Sequence, residues 1–282
     1  MTQRRVRGKR LILAYHGIIP EGERPAGERA LFVKERDFCM QLDMIAAEAD
    51  VAPLDRIDDP GNGRPRVAIT FDDAYAGAVN VGVRELTKRN LPATIFVVPA
   101  RLNGHIFWWD ALSDDSSVLD PWLRDFALRE LGGREDRVRA WAATSSLPTS
   151  HGLPAHARAA TRSELHAAVA SPGITVGSHT WSHPNLATLS DADLVAEVKG
   201  SREWLRSEFG GKAIDWLAYP YGIDSGNVRR AVQAASYTGA VRIDGGWHLP
   251  NEVSPFARPR FSIGSGLSIE GLRARLNGVM LS

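Results

Sequence analysis

The chain has 282 residues, of which 44% are hydrophobic and 24% charged, a composition that excludes large-scale disorder and allows a substantial core. Its formal net charge is +1, so no overall field would draw it to nucleic acid or anionic lipid, and we predict no nucleic-acid partner. The only cysteine, Cys39, excludes intrachain disulfides and thiolate-rich metal sites, and we assign it no function.

The first residues combine positive charge with an early apolar stretch. The basic residues are Arg4, Arg5, Arg7, Lys9 and Arg10. They resemble the start of a signal peptide, but His16 interrupts the apolar run and no small-residue cleavage site follows. No apolar run approaches the roughly twenty residues that cross a bilayer. We therefore predict a cytoplasmic protein without a transmembrane segment, with its oligomeric state open.

Short β-rich runs alternate with helical patterns along the chain. The predicted strands are 11–15, 67–71, 93–98, 174–178, 214–219, 238–241 and 261–263. The predicted helices are 36–49, 77–90, one starting after Thr161, 190–209, 225–236 and 268–278. This alternation predicts an α/β fold with a mainly parallel sheet. We expect one domain over residues 1–282, because barrel-type α/β proteins of this length commonly form one.

Residues 102–160 interrupt the alternation. They contain two helical stretches, no clear strand, and the tryptophans Trp108, Trp109, Trp122 and Trp141. The segment is an insertion that forms a lid or a subdomain. Trp109 and its neighbour Asp110 either present an aromatic face to a bound ligand or belong to the insertion's own core. Residues 20–30 and 58–66 are predicted to be exposed loops.

Polar residues follow several of the predicted strands. His16 follows the first strand, Asp72 and Asp73 the second, and His179 the fourth. Functional groups gather at the carboxyl ends of parallel strands, because the loops there converge on one face. We therefore expect these side chains to meet in one cavity.

The two aspartates and two histidines suggest metal chemistry. His179 and His183 are four residues apart, close enough to reach one ion from a compact loop that Pro184 keeps from being helical. Asp72 and Asp73 point in different directions at a strand end, so one can bind the ion while the other accepts a proton. The alternatives are a capping Asp-Asp turn and two unrelated loop histidines.

Three motifs in this order resemble those of the polysaccharide deacetylase family, also called the NodB-homology family or carbohydrate esterase family 4. They are Thr70-Phe71-Asp72-Asp73, His179-x-x-x-His183 and Tyr219-Pro220-Tyr221-Gly222, and the resemblance covers most of the chain. It implies a distorted (β/α)7 barrel. It also implies an enzyme that hydrolyses N-acetyl groups on amino sugars, so that an N-acetylated sugar or glycan would be the substrate.

The resemblance also implies roles for individual residues. Asp73, His179 and His183 would bind a divalent metal, by default Zn²⁺, with Ni²⁺, Co²⁺ or Fe²⁺ as alternatives. Asp72 would be the general base, and the backbone amide of Tyr221 would stabilise the oxyanion.

The general acid has two candidates. A subgroup of the family has a Tyr-His pair on its first strand, which matches Tyr15-His16 and favours His16. His248 is the rival, and a histidine that only binds loop carbonyls is the alternative for His16.

The chain departs from the family pattern at two positions. Ala218 stands where an arginine usually orients the catalytic aspartate, and Arg258 or Arg260 could replace that charge. We predict Arg260, with a surface salt bridge as the alternative. Ala74 stands where a glycine commonly follows the two aspartates.

Three other functions compete with deacetylation. The same site could hydrolyse another C–N bond, such as that of a cyclic imide or ureide. The loss of arginine at Ala218 would suit a carbohydrate-binding relative without activity, although the intact acids and histidines oppose it. Two histidines and one carboxylate also hold iron in oxygenases, but those sites normally lie in β-sandwiches.

Overall fold

The computed structural model describes residues 8–113, 118–150 and 152–279, so Arg4, Arg5 and Arg7 of the basic start lie outside it. In chain order the strands are β1 (Arg10–Tyr15), β2 (Gly17–Ile19), β3 (Phe32–Lys34), β4 (Asp50–Val51), β5 (Arg66–Phe71), β6 (Ala93–Val97), β7 (Ile174–Ser178), β8 (Ala213–Ala218), β9 (Gly239–Ile243) and β10 (Arg258–Ser262). The α-helices are α1 (Glu35–Glu48), α2 (Val83–Lys88), α3 (Trp108–Ala111), α4 (Pro121–Arg129), α5 (Glu135–Thr144), α6 (Arg162–Val169), α7 (Asp191–Phe209), α8 (Gly226–Ala234) and α9 (Ile269–Leu276).

The predicted strands close into a parallel barrel. β1 pairs with β5 on one side and with β10 on the other, and the ring continues through β9, β8, β7 and β6. This seven-stranded ring of the described chain confirms the predicted (β/α)7 barrel and differs from the β-sandwich of the oxygenase alternative. The short β4 pairs with the start of β5 outside the ring, and β2 pairs with β3 in a separate small sheet.

Alternate residues of the strands fill the barrel. One buried cluster contains Ile12 from β1, Ala68 from β5, Phe96 from β6, Trp216 from β8 and Val241 from β9. The residues between them face the surrounding helices, as strand geometry requires. The barrel is therefore a packed core, and open space is left only at its ends.

Two predicted elements differ most clearly from the structure. β10 begins at Arg258 rather than at 261, and Pro259, which weakens the strand pattern in the sequence, pairs with Arg242 of β9. The helix predicted over 77–90 forms instead as a wide turn of π-helix over Ala78–Gly82 followed by α2.

The insertion is helical, as predicted. The described residues within 102–160 form α3, α4 and α5 and no strand. Within the described ranges, every helix is too short or too polar to cross a membrane.

Candidate active site at the carboxyl end of the barrel

Strand register brings His16 next to Asp72. The parallel pairing of β1 with β5 aligns Tyr15 with Phe71, so the residues that follow them leave the sheet side by side. The Asp72 N–H donates to the Tyr15 carbonyl at 2.9 Å, which extends the ladder by one bond. His179 follows β7 in the same way, and the strand ends converge on one cavity as the sequence predicts.

Asp73, His179 and His183 form a compact buried cluster. Asp73 Oδ1 lies 3.7 Å from His179 Nε2 and 3.5 Å from His183 Nε2, and the two Nε2 atoms are 3.1 Å apart. His179 Nδ1 lies 2.8 Å from the Ala218 carbonyl. A proton on Nδ1 satisfies that carbonyl and leaves the Nε2 lone pair facing the cluster.

The cluster has the properties of an ion site. Asp73 Oδ1 is buried and has no hydrogen-bond partner among the described residues. Burial, together with the charges of Asp72 and Asp110, raises the pKa of Asp73 well above its ordinary value, so its anionic form requires a cation nearby. Burial and the neighbouring His179 lower the pKa of His183 well below its ordinary value, which keeps that ring neutral. Two neutral imidazoles and a carboxylate fit a divalent metal.

Asp72, the neighbour of Asp73, is held by Arg260. The guanidinium donates from Nη1 to Asp72 Oδ1 and from Nη2 to Oδ2, both at 2.7 Å, and neither side chain is more than 1% exposed. Burial alone would raise the pKa of Asp72, but the charge and hydrogen bonds of Arg260 outweigh it and lower that pKa below its ordinary value. Arg260 thus occupies the place predicted for it.

Arg258, the other arginine considered, lies elsewhere. It binds Asp58 at the amino end of the barrel, with Nη1 donating to Oδ1 at 3.0 Å. Of these two arginines, only Arg260 is paired with Asp72.

His16 lines the cavity beside Asp72. Its Nε2 lies 3.9 Å from Asp72 Oδ2, and its buried Nδ1 has no partner among the described residues. Burial lowers the pKa of His16 to about 4, against the opposing charge of Asp72. The imidazole is therefore neutral near pH 7 in the protein without substrate.

His248 lies at the opposite end of the barrel. Its N–H and carbonyl pair with Arg10, the first residue of β1, at 3.0 and 2.7 Å. Burial lowers its pKa to about 4. The full length of β1 separates His248 from His16, so of these two histidines only His16 lines the cavity.

Tyr221 reaches the cavity from the loop after β8. Its hydroxyl accepts from Trp108 Nε1 at 3.1 Å, and its ring packs edge-on against His183 with centroids 4.6 Å apart. Its backbone adopts a positive φ of 59°. Asp73, Ala74 and His183 also have positive φ, at 67°, 52° and 67°. Non-glycine residues rarely adopt this conformation, and its concentration at a site is typical of function.

The cavity has a volume of about 440 Å³ and lies between the barrel and the insertion. Its lining includes every predicted site residue except Arg260, which lies behind Asp72: His16, Asp72, Asp73, His179, His183 and Tyr221. The remaining wall comes from the insertion and from the loop before β3: Glu28, Ala30, Leu31, Trp108, Trp109, Leu119, Pro121 and Arg124, with Ile243 and Ser262 from strand ends. A larger groove of about 840 Å³ runs outside the barrel beside α9, and none of the predicted aspartates or histidines lines it.

Comparison with known protein families identifies the family of this chain. The sequence model of the family described as polysaccharide deacetylase matches residues 59–240, which include both aspartates and both histidines. The chain belongs to the polysaccharide deacetylase family. It is therefore a hydrolase of the carbohydrate deacetylase class. No curated protein sequence matches the chain.

Solved structures share the fold at low sequence identity. A deacetylase from Streptococcus pyogenes, PplD in complex with acetate, has a TM-score of 0.67 at 18% identity over 96% of this chain and 99% of its own. BC0361, a polysaccharide deacetylase from Bacillus cereus, has a TM-score of 0.68 at 19% identity over 96% and 69%. IcaB from Ammonifex degensii has a TM-score of 0.62 at 15% identity over 96% and 97%.

Trp108 and Trp109 both line the cavity of this deacetylase but expose little surface. Trp108 is 1% and Trp109 6% exposed. Trp109 packs on His183 with ring centroids 5.0 Å apart and stacks on Phe107 at 4.6 Å. Of the two interpretations left open by the sequence, core packing of the insertion describes most of their surface, and they act as a wall behind His183.

The sequence analysis did not predict a hydrogen-bonded network that joins Trp109 to Tyr75, Asp110 and Glu28. Asp110 Oδ2 accepts from the Tyr75 hydroxyl at 2.5 Å, and Trp109 Nε1 donates to the same hydroxyl at 2.8 Å. Asp110 Oδ1 accepts from the Glu28 N–H at 2.8 Å. Burial raises the pKa of Asp110 to about 7.

This network ties the loop over residues 20–30 to the insertion, so the prediction of a simple exposed loop is wrong for residues 26–28, which are buried or half-buried. Gly27 is buried, and a Cβ there would lie 2.4 Å from Asp110 Oδ1. Glu28 itself lines the cavity. The glycine was the one available sequence signal, because such close approach to a side chain admits no larger residue.

Proposed function

We propose that this deacetylase removes N-acetyl groups from an amino sugar in a glycan, glycolipid precursor or glycoconjugate, and that it depends on a divalent metal. The observation that carries the proposal is the contrast between two adjacent carboxylates. Asp72 is paired with Arg260 and has a lowered pKa, whereas Asp73 faces the imidazoles of His179 and His183 and has a pKa raised by burial. Two carboxylates whose pKa values are shifted in opposite directions can take different roles in one reaction.

Asp73, His179 and His183 would hold the metal. Zinc is the proposed ion, and nickel, cobalt and ferrous iron accept the same ligands. When bound, the ion would act as a Lewis acid toward the acetamide carbonyl and would make a water molecule more acidic. With three protein ligands, positions stay open for water and substrate.

Asp72 is the proposed general base. It accepts a proton from the water whose oxygen attacks the carbonyl carbon, and Arg260 keeps the carboxylate anionic and fixed in orientation until then. Because Arg260 also disfavours the protonated carboxyl, the proton does not rest on Asp72.

Tyr221 is proposed to stabilise the oxyanion that this attack creates. Pro220 has no N–H, and the N–H groups of Gly222 and Ile223 donate within the turn, to Tyr219 and Pro220, so the backbone N–H of Tyr221 is the proposed donor to the oxyanion. The positive φ of Tyr221 sets the direction of that amide.

His16 is the proposed general acid. It is neutral before the reaction, so it must first receive a proton, and Asp72 Oδ2 at 3.9 Å is the neighbouring carboxylate that can supply one. His16 then protonates the sugar nitrogen as the C–N bond breaks and acetate leaves.

The proposal is tested by an acetate-release screen over N-acetylated sugars from monosaccharide to polymer, paired with metal analysis of the purified protein. We expect about one bound divalent ion per chain, and loss of activity after chelation that is restored by added metal. Asp73→Ala and His183→Ala are expected to abolish both metal binding and acetate release.

Two results would contradict this function. Acetate release that persists in a metal-free preparation of Asp73→Ala would exclude metal dependence. If the protein binds metal and hydrolyses cyclic imides or ureides but releases no acetate from any sugar, the site is that of a cyclic imide or ureide hydrolase.

A further inference from the structure

Part of the cavity wall is formed by the loop before β3, and we name residues 26–31 the wall loop. Three of its residues line the cavity: Glu28, Ala30 and Leu31. Glu28 joins the wall loop to the insertion twice. Its N–H donates to Asp110 Oδ1 at 2.8 Å, and its carboxylate accepts from the N–H of Leu119, which also lines the cavity. These bonds therefore hold together two segments of the wall that are distant in sequence.

Asp110 holds the other end of this network. It lies on α3, is 1% exposed, and accepts through Oδ2 from the Tyr75 hydroxyl as well as through Oδ1 from Glu28. Trp109 Nε1 donates to the same Tyr75 hydroxyl, which leaves the hydroxyl proton for Asp110. Since both oxygens of Asp110 receive a proton donor, the carboxylate is the form that fits this place.

Tyr75 stands two residues after Asp73, in a loop that has backbone hydrogen bonds of its own. The Ala76 N–H donates to the Arg158 carbonyl at 2.8 Å, and the Asp72 N–H is bonded to β1. The loop that carries Asp73 is therefore fixed without Asp110. If the network were broken, the wall loop would move and Asp73 would stay in place.

The space beside Asp110 is filled by Gly27 of the wall loop. Gly27 has a φ of +73°, and a Cβ there would lie 2.4 Å from Asp110 Oδ1. Ordinary contact takes about 3.5 Å, so an alanine would push the wall loop and Asp110 apart by about 1 Å. Gly22, earlier in the same loop, has a similar φ of +83° but nothing within 4 Å of its Cβ position. The two glycines thus differ in the contact with Asp110 and not in backbone conformation.

We propose that Asp110 is a positioning residue for deacetylation, which fixes the wall loop where the substrate requires it. The inference rests on the function proposed above. Asp110 lies behind the residues that line the cavity and acts through Glu28. The wall loop would contact parts of the substrate that do not react. Its displacement should weaken binding of the ground state and the transition state equally, which raises KM and leaves kcat unchanged.

The first test compares Gly27→Ala with Gly22→Ala. Acetate release is measured on the sugar that the wild type hydrolyses best, from N-acetylglucosamine to its β-1,4-linked polymer, at a pH above the Asp110 pKa of about 7. We expect Gly27→Ala to raise KM about 10-fold, with kcat and metal content unchanged. Gly22→Ala, which has the same backbone strain without the contact, should keep the wild-type KM.

The second test changes Asp110 itself and does not depend on the folding of Gly27→Ala. Asp110→Asn keeps the shape of the side chain but offers one acceptor oxygen to two donors, so one of the two bonds is lost. KM should rise about 5-fold. The control is Tyr237→Phe, which removes a buried hydrogen bond to the Val198 carbonyl away from the cavity. Its KM should equal that of the wild type, because a general loss of stability does not displace the wall loop.

Hydrogen exchange of the free protein gives a readout without turnover. The amides of the wall loop should exchange faster in Gly27→Ala and Asp110→Asn than in the wild type and the two controls. Unchanged exchange in both variants would overturn the inference, and so would faster exchange with an unchanged KM. Loss of metal or of kcat alone would also overturn it, because the network would then act on Asp73.

Failure of this inference is distinct from failure of the proposed function. A wild-type protein that releases no acetate from any sugar would reject the function and the inference with it. An active wild type, with the same KM in Gly27→Ala and Asp110→Asn, would reject the positioning role alone.

Discussion

Two arginines of β10, Arg258 and Arg260, face the same barrel interior but serve opposite ends of it. Each guanidinium group donates hydrogen bonds to an aspartate. Each also lies over an aromatic ring, with Arg258 5.6 Å from the centroid of Trp216 and Arg260 5.4 Å from that of Phe96. The partners differ in exposure. The side chain of Asp72 is 1% exposed, whereas that of Asp58, the partner of Arg258, is 40% exposed.

This difference shows that the surroundings of an ion pair determine what it can do chemically. At the amino end, Asp58 also accepts a contact from Arg10 at 4.0 Å and faces water, so the charges are shared and solvated. At the carboxyl end, Asp72 lies beside His16 and a second carboxylate in a cavity. Only the second arrangement can direct a proton to a bound molecule. Matched substitutions at the two ends test this contrast.

The largest effect is expected from Asp72→Asn against Asp58→Asn. Loss of the base should lower kcat for acetate release by at least about 100-fold, with metal content unchanged. Asp58→Asn, which alters the same kind of pair at the other end, should retain wild-type kcat. Full activity in Asp72→Asn would reject its assignment as the base.

The arginines themselves should differ in their effect on stability. Arg260→Met leaves Asp72 buried without a partner and should lower the free energy of unfolding by about 3–5 kcal/mol at pH 7. Arg258→Met should cost about 1 kcal/mol or less, because Asp58 is solvated. Urea denaturation of both variants measures the two values, and equal losses would contradict the comparison.

The loss of stability in Arg260→Met should depend on pH. The pKa of Asp72 is lowered in the folded protein, so its pairing stabilises fully above the unfolded value of about 3.9 and is lost as pH falls towards the folded pKa. In Arg260→Met, Asp72 stays buried but loses its counterion, so the pKa of Asp72 should rise. The variant should therefore become less stable as pH rises, and its gap to the wild type should narrow in acid.

The histidines provide the next comparison. His16→Ala should lower kcat about 100-fold through slow departure of the amine, with metal occupancy intact. His248→Ala removes an equally buried ring from the amino end and should leave kcat unchanged. Loss of the metal in His16→Ala would make His16 a ligand, and loss of activity in His248→Ala would reopen the choice of acid.

The smallest effect is expected at Ala74. Its φ of 52° costs about 1 kcal/mol that glycine would not incur, but its methyl group is fully buried and contributes about 0.8 kcal/mol. Ala74→Gly should therefore change the thermal unfolding free energy by less than about 1 kcal/mol and leave kcat near wild type. A large loss of activity would show that the loop holding Asp73 depends on this side chain.

The residue pattern by itself determined the seven main strands, their parallel sheet and the residues gathered at its carboxyl end, whereas the closed barrel was implied only by the family resemblance. Apolar runs with helices between them dictate a parallel sheet, and polar residues directly after such runs must emerge where the loops converge. The cluster of Asp73, His179 and His183 follows from that rule, because each member stands in the loop after its strand.

Tertiary structure alone decided where each of two similar residues lies. Arg258 and Arg260 have the same parity on β10, so alternation sends both into the barrel, and only the offset between strands places one beside Asp72. The pairing of His248 with Arg10 at the far end of the barrel also follows from no local sequence pattern. The bonds between Glu28 and Asp110, 82 residues apart, likewise have no local pattern, because they arise where an insertion folds back over a loop.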